Sequence, residues 1–271
     1  MNLYKAINRR RSIRNYGETG LSKTQLDEIE KSVNESRELF SGVSVDAYLV
    51  RDGQSLQQDI SGIIADYGKV EAPHYLVLTS EDTQKGFVET GYRYEFIVLA
   101  LAAQEVGTCW IGKGFRDEEL SRHVQIPRDQ TCTTLIALGP LPAGDNLHEI
   151  EDPKRKELSH FLINGDPNCF DEATLKIVDC LRRSPSSLNS QPWRVVLEHG
   201  AIHLYLRKRN KITRMVLKDM DRMNQVDAGI GLCHLEVGGR HCWDGAEIKK
   251  TPHPEKKGLV YIGSLKGQDR G

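Results

Sequence analysis

A chain of 271 residues is long enough for one large domain or two small ones with a substantial buried core. Its formal net charge of -1, with charged residues at 28% and interleaved in sign, excludes a whole-protein field directed at nucleic acid or an anionic membrane. No apolar run is long enough to span a membrane, and the opening MNLYKAINRRRSIRNY lacks the apolar segment of a secretory signal, so the expected location is the cytoplasm.

Ser22 and Gln25 have capping-box spacing, and Leu26, Ile29 and Val33 recur on one face of the helix they begin. Val45–Val50 alternates as a strand and stops at Asp52-Gly53. Ser55–Tyr67 is expected as a second helix and His74–Thr79 as a buried strand. A long helix is expected from Tyr92 through Phe96, Leu99, Ala103 and Val106, with Gly107 as its C-cap, before a strand over Cys132–Gly139. The order then restarts. Pro167–Leu181 reads as a helix with Asp171 near its start, and Trp193–Leu197 and Ile202–Leu206 flank His199-Gly200 as a strand pair. Asn224–Val237 is a second long helix, closed by Gly238-Gly239, and Gly258–Gly263 is the final strand. Strands and helices without strict alternation imply an α+β class, with a mostly antiparallel sheet packed by helices.

Internal echoes support two tandem copies. Cys109-Trp110 recurs as Cys242-Trp243, Leu135–Gly139 as Leu259–Gly263, and Arg11–Ile13 more weakly as Arg155–Glu157. The offset shrinks from about 148 residues at the first helices to about 124 at the last strands, which implies shorter loops in copy two. The expected half-units are 1–150 and 151–271, joined through the Pro140-to-Lys156 stretch. The six cysteines are too sparse for a disulfide scaffold, and the spacing of Cys233, His234, His241 and Cys242 matches no structural zinc pattern well, so no metal is expected.

Three segments carry chemistry. Arg9-Arg10-Arg11-Ser12-Ile13-Arg14 combines guanidinium forks and a hydroxyl, a donor set suited to phosphate, although a basic run of this kind also serves as a solvated face. Arg183–Trp193 is dense in hydroxyl and amide groups and stiffened by Pro185 and Pro192; it fits a ligand loop anchored by Trp193 or a rigid connection. Gly107–Phe115 places Gly112 and Gly114 around Lys113, which lets backbone approach a flat ligand, or caps and turns a helix end.

Together, R-R-S-I-R, S-P-S-S-L-N-S-Q-P-W and G-T-C-W-I-G-K-G-F resemble the three FMN-contact segments of the nitroreductase family, in order over nearly the whole chain. The resemblance implies the FMN-dependent nitroreductase fold. It also implies an oxidoreductase in which NADH or NADPH reduces FMN, and a nitroaromatic, quinone or flavin-like acceptor is then reduced. Family members are homodimers whose flavins are shared between subunits. In this sequence copy one keeps R-R-S-I-R and the glycine segment but has Asn34–Phe40 where the serine–asparagine loop is expected, while copy two keeps only that loop. The complementarity resembles the single-chain, internally duplicated branch of the family and implies one FMN per monomer.

Carried over by position, Arg10, Arg11 and Ser12 grip the FMN phosphate, and Arg14 lies towards the pyrimidine edge. Lys113 and Gly114 offer backbone N–H groups near the flavin N5; Pro185, Ser186, Ser187, Asn189 and Gln191 approach from copy two; Arg155 joins the phosphate site. No catalytic side chain is required, and G-x-S-x-G, H-E-x-x-H and P-loop motifs are absent from the sequence. Gly229-Ile-Gly231 is a partial dinucleotide fingerprint, better explained by helix packing. Two other readings are an FMN-binding chain with little or no turnover and a nucleic-acid module using Arg9–Arg14, which the balanced charge opposes.

Overall fold

The computed structural model describes residues 2–60, 70–112, 114–164, 166–208 and 218–268. The chain divides into two compact units, Met1–Glu149 and Ile150–Gly271.

In the first unit, α1 (Leu3–Arg9) precedes α2 (Lys23–Asn34), whose capping box is formed by Ser22 and Gln25 as the sequence implies. Strand β1 (Val45–Val50) leads to α3 (Gly53–Asp59), which starts two residues before the expected Ser55 because the Asp52 side chain accepts the Ser55 N–H. Residues 61–67 of that expected helix lie outside the described residues. Strand β2 (His74–Ser80) is buried throughout. Helix α4 (Gln84–Ala103) begins eight residues before the expected Tyr92, capped by Thr83; Glu89 and Glu95 are buried along it, so the helix lacks the polar face that would reveal its start.

Gly107 is not its C-cap. Glu105 takes the left-handed turn at φ 60°, and Gly107 lies inside β3 (Val106–Gly112), where a Cβ would fall 3.0 Å from Cγ2 of Ile13. A close approach of chains requires that glycine, and the helix end does not. Strand β4 (Thr131–Pro140) completes an antiparallel sheet ordered β1-β2-β4-β3. Side chains alternate between its faces. Leu76, Leu78, Ile136 and Leu138 join Leu26, Ile29 and Val98, while Tyr75, Val77, Leu135 and Ala137 join Leu56, Leu120 and Val124.

The second unit opens with α5 (Leu158–Phe161) and a 3-10 turn at Pro167–Cys169. Helix α6 (Glu172–Arg183) starts later than expected, because the Asp171 side chain caps it by accepting the Thr174 N–H at 2.6 Å. Strands β5 (Trp193–Glu198) and β6 (Ala201–Arg207) form the expected hairpin, with His199 and Gly200 at φ 51° and 67°. Both positive values fit a type I′ turn. Helix α7 (Lys218–Cys242) runs through Gly238 and Gly239 instead of ending there. A Cβ on Gly238 would meet Cys180 Sγ at 2.9 Å, and one on Gly239 would meet Leu265 Cδ2 at 2.7 Å, so these glycines serve packing. Strands β7 (Glu247–Lys249) and β8 (Leu259–Lys266) complete an antiparallel sheet ordered β5-β6-β8-β7.

The two sheets repeat one topology, and even the irregularity recurs. Thr133 in β4 is skipped opposite Leu78/Thr79, and Ile262 in β8 is skipped opposite Leu204/Tyr205. These skipped residues are 129 positions apart, so the sequence echo of Leu135–Gly139 in Leu259–Gly263, at 124, is five residues out of structural register. The other echoes also need correction. Cys109-Trp110 lies in β3, whereas Cys242-Trp243 straddles the end of α7. Ser12 bridges Thr108 of β3, while Leu162, after Arg155–Glu157, bridges Val195 of β5 at the opposite edge of the repeated order. Backbone topology carries the repeat better than residue identity does. No described helix is long and apolar enough to cross a membrane.

Candidate functional site

The structure brings the first and third segments together within the first unit. A parallel bridge joins Ser12 to Thr108, and Ile13 N–H donates to Thr108 O at 2.9 Å. Residues 10–14 therefore lie beside β3, with the bare backbone of Gly107 allowing the contact.

Arg10 is the least ordinary group here. It is 6% exposed, and its Nε and Nη1 are buried with no hydrogen-bond partner among the described residues. Burial lowers its pKa, opposed by the charge of Glu95. Glu95 is itself buried in α4 and accepts from Trp110 Nε1 at 2.7 Å. Unpartnered buried guanidinium donors are costly, so this geometry suits an anion supplied from outside the chain. Arg11 differs. Its Nη2 binds the Asp145 carboxylate and, at 3.3 Å, Asn146 O, which leaves the buried Nε unpartnered. Arg14 is exposed, and its charge acts on Tyr16 and Cys109. Burial raises the Cys109 thiol, against the lowering effects of Arg14, Arg10 and the Ser12 hydroxyl. Lys113 lies outside the described residues; Gly114 follows it as exposed coil.

The serine–asparagine loop is built within the second unit. Leu188, Asn189 and Gln191 have φ of 52°, 52° and 49°, a left-handed conformation that L side chains adopt at a cost. Leu188 is 62% exposed, so no burial of its own offsets that strain. The loop is braced by polar bonds. Gln191 N–H donates to Ser186 Oγ at 3.0 Å, and Gln191 Nε2 donates to Asn189 Oδ1 at 3.0 Å. Arg155 Nη1 donates to the same Asn189 Oδ1 at 3.0 Å, Asn189 Nδ2 donates to Lys154 O at 3.1 Å, and Lys156 N–H donates to Gln191 Oε1 at 2.9 Å. Arg155, Asn189 and Gln191 are thus one cluster that straps residues 154–156 to the loop, next to buried Pro185.

Ser187 is held from behind by Asp227 of α7, which is 4% exposed. Burial pushes the Asp227 carboxyl up to about 8. Sequence reading passed over Asp227 and Glu95, because both lie on helices that read as packing. It also passed over Ser190, whose Oγ is buried without a partner although it stands inside the expected loop.

Two antiparallel four-stranded sheets of one topology, with helices packed on them, define an α+β nitroreductase-like fold. A family model described as "Putative TM nitroreductase" matches residues 2–239, and the chain belongs to this nitroreductase family. A Thermotoga maritima structure described as a "putative nitroreductase" shares the fold. Its TM-score is 0.63 at 23% identity, over 98% of this chain and 93% of its own. A nitroreductase family protein from Clostridium novyi NT matches 52% of this chain and 86% of its own, at 21% identity and TM-score 0.43. A Bacteroides fragilis nitroreductase with bound FMN matches 57% and 96%, at 17% identity and TM-score 0.47. A comparison with curated proteins finds no match.

Proposed function

We propose that the chain is an FMN-dependent oxidoreductase that takes electrons from NADH or NADPH and reduces a nitroaromatic, quinone or flavin-like acceptor. The observation that carries this reading is the buried Arg10 guanidinium beside Ser12, with Nε and Nη1 unpartnered, in a chain of the nitroreductase family. When bound, FMN supplies reversible electron transfer between nicotinamide and acceptor.

Arg10, Arg11 and Ser12 hold the phosphate through charge-assisted bonds. Arg14 places a cation at the pyrimidine edge, where it favours negative charge on the ring. Lys113 and Gly114 present backbone N–H groups. Pro185, Ser186, Ser187, Asn189 and Gln191 would contact FMN, and Arg155 would add charge at its phosphate. The bracing of Asn189 and Gln191 supports a preorganised loop, whose shape is set before the cofactor arrives. One FMN is held per chain, because each copy lacks the segment that the other keeps. The chain works as a monomer in the cytoplasm on small-molecule substrates, without nucleic acid or membrane.

A visible spectrum of the purified chain with added FMN, then with anaerobic NADH and NADPH, tests this. About one flavin per chain, bleached by nicotinamide, is the expected result. Two flavins per chain refute the single site, and absence of binding refutes the enzyme.

A further inference from the structure

The face of the second sheet that points away from α7 carries a cluster of cations. Arg194 of β5 pairs with Tyr205 of β6, and Arg207 follows two residues along the same face. Arg194 is only 7% exposed; its Nη1 donates to Trp193 O at 2.5 Å and its Nη2 lies 2.8 Å from His160 Nε2. A guanidinium only donates, so His160 Nε2 accepts and the imidazole is neutral. Lys156 Nζ donates to Ser190 O at 2.9 Å, and Arg207 N–H donates to Pro192 O at 3.2 Å. The Lys156 ammonium and the backbone of Arg207 are therefore both tied to the short stretch that leads from Ser190 to Arg194.

Among the described residues, none of Lys156, Arg194 or Arg207 has a carboxylate partner, and in the sequence the next acidic residue after Arg207 is Asp219. Beyond burial, the charges acting on Lys156 are Arg194 and Arg207, and the charge acting on Arg194 is Arg207. Clustered like charges around a buried guanidinium oppose folding, and an anion offsets that cost.

We propose that Lys156, Arg194 and Arg207 form a site for a phosphate dianion that remains open when FMN is bound. The exposed Arg207 guanidinium and Lys156 ammonium, with the buried charge of Arg194 behind them, suit the oxygens of a tetrahedral phosphate better than a single carboxylate. The backbone bond from Lys156 to Gln191 ties this cluster to the proposed flavin loop. Two sources offer the same chemistry: the adenosine 2′-phosphate of NADPH, which rests on the reading above, and free inorganic phosphate, which does not.

Calorimetric titration of the FMN-saturated chain with inorganic phosphate, 2′,5′-ADP and 5′-AMP tests the site. The expected result is saturable binding, weakened at least about tenfold in both Arg207→Ser and Lys156→Gln. Tighter binding of 2′,5′-ADP than of both phosphate and 5′-AMP assigns the site to the dinucleotide. Equal binding of phosphate and 2′,5′-ADP assigns it to free phosphate. Absence of binding, unchanged affinity in both variants, or displacement of FMN by phosphate overturns the proposal. A chain that binds no flavin yet binds phosphate through Arg207 overturns the flavin reading and leaves this site standing.

Discussion

Both carboxylate oxygens of Asp227 receive the backbone N–H of Ser187, at 3.1 and 3.2 Å. The first unit uses the same device: Glu89 of α4 accepts from Leu39 and Phe40 N–H at 3.0 and 2.8 Å in the loop after α2. The two differ in charge balance. Arg93 lies 3.0 Å from Glu89, whereas burial dominates at Asp227, offset by the Ser187 bond.

Burial raises the Asp227 carboxyl from 3.8 to about 8, so the folded chain holds it neutral across a range where the unfolded chain ionises it. Its contribution to stability is full below 3.8 and is lost as pH rises towards and through about 8. Asp227→Asn keeps an acceptor for Ser187 and removes the titration. Urea unfolding at pH 6 and pH 9 is expected to show a smaller alkaline loss for Asp227→Asn than for the parent. An unchanged alkaline loss would count against this account. Asp227→Ala leaves Ser187 N–H unsatisfied and is expected to cost about 1–3 kcal/mol.

Arg10 sets binding against stability. Its buried unpartnered donors are costly without a ligand, so Arg10→Met is expected to raise the thermal midpoint of the flavin-free chain by a few degrees. On the proposed reading the same change also removes charge-assisted hydrogen bonds to the FMN phosphate worth about 1.5–3 kcal/mol, and it is expected to weaken FMN binding at least about tenfold. Scanning calorimetry and flavin-fluorescence titration read the two effects separately. A variant that loses stability and keeps FMN affinity would show Arg10 to be a structural residue.

Gly107 lets residues 10–14 lie against β3. A Cβ there would meet three carbons of Ile13 at 3.0 to 3.2 Å, so Gly107→Val is expected to cost about 1–3 kcal/mol and to weaken FMN binding. Denaturant midpoints and flavin titration check this. If Gly107→Val binds FMN as the parent does, the spacing of this segment does not govern the cradle.

Leu188 holds a left-handed backbone with its side chain mostly in solvent. Left-handed geometry costs an L residue about 1–2 kcal/mol, and glycine removes that penalty while adding chain entropy to the unfolded state. Leu188→Gly is expected to be neutral or stabilising by up to about 1 kcal/mol, and Leu188→Val to be destabilising. Thermal unfolding of both variants decides the matter: a large loss in Leu188→Gly would mean that the leucine side chain is held by contacts.

Local signals were legible wherever the physics is local. The Ser22–Gln25 capping box, the alternation of Val45–Val50 and the His199-Gly200 turn each depend on side chains a few residues apart. Residue type is likewise what motivates the proposal that Arg10, Arg11 and Ser12 hold a phosphate. Gly107, Gly238 and Gly239 misled as helix punctuation because glycine also serves close packing, and only the positions of Ile13, Cys180 and Leu265 distinguish the two uses.

The sequence by itself determined the α+β class, most of the strands and the three segments that place the chain in its family, because periodicity, caps and motifs are written in neighbouring residues. Tertiary structure alone decided the register of the repeat, marked by Thr133 and Ile262, because strand pairing joins residues far apart in the chain. It alone also showed that Asp227 backs the serine–asparagine loop and that Arg194 meets His160. Such contacts arise when burial brings distant polar groups together and obliges them to find partners.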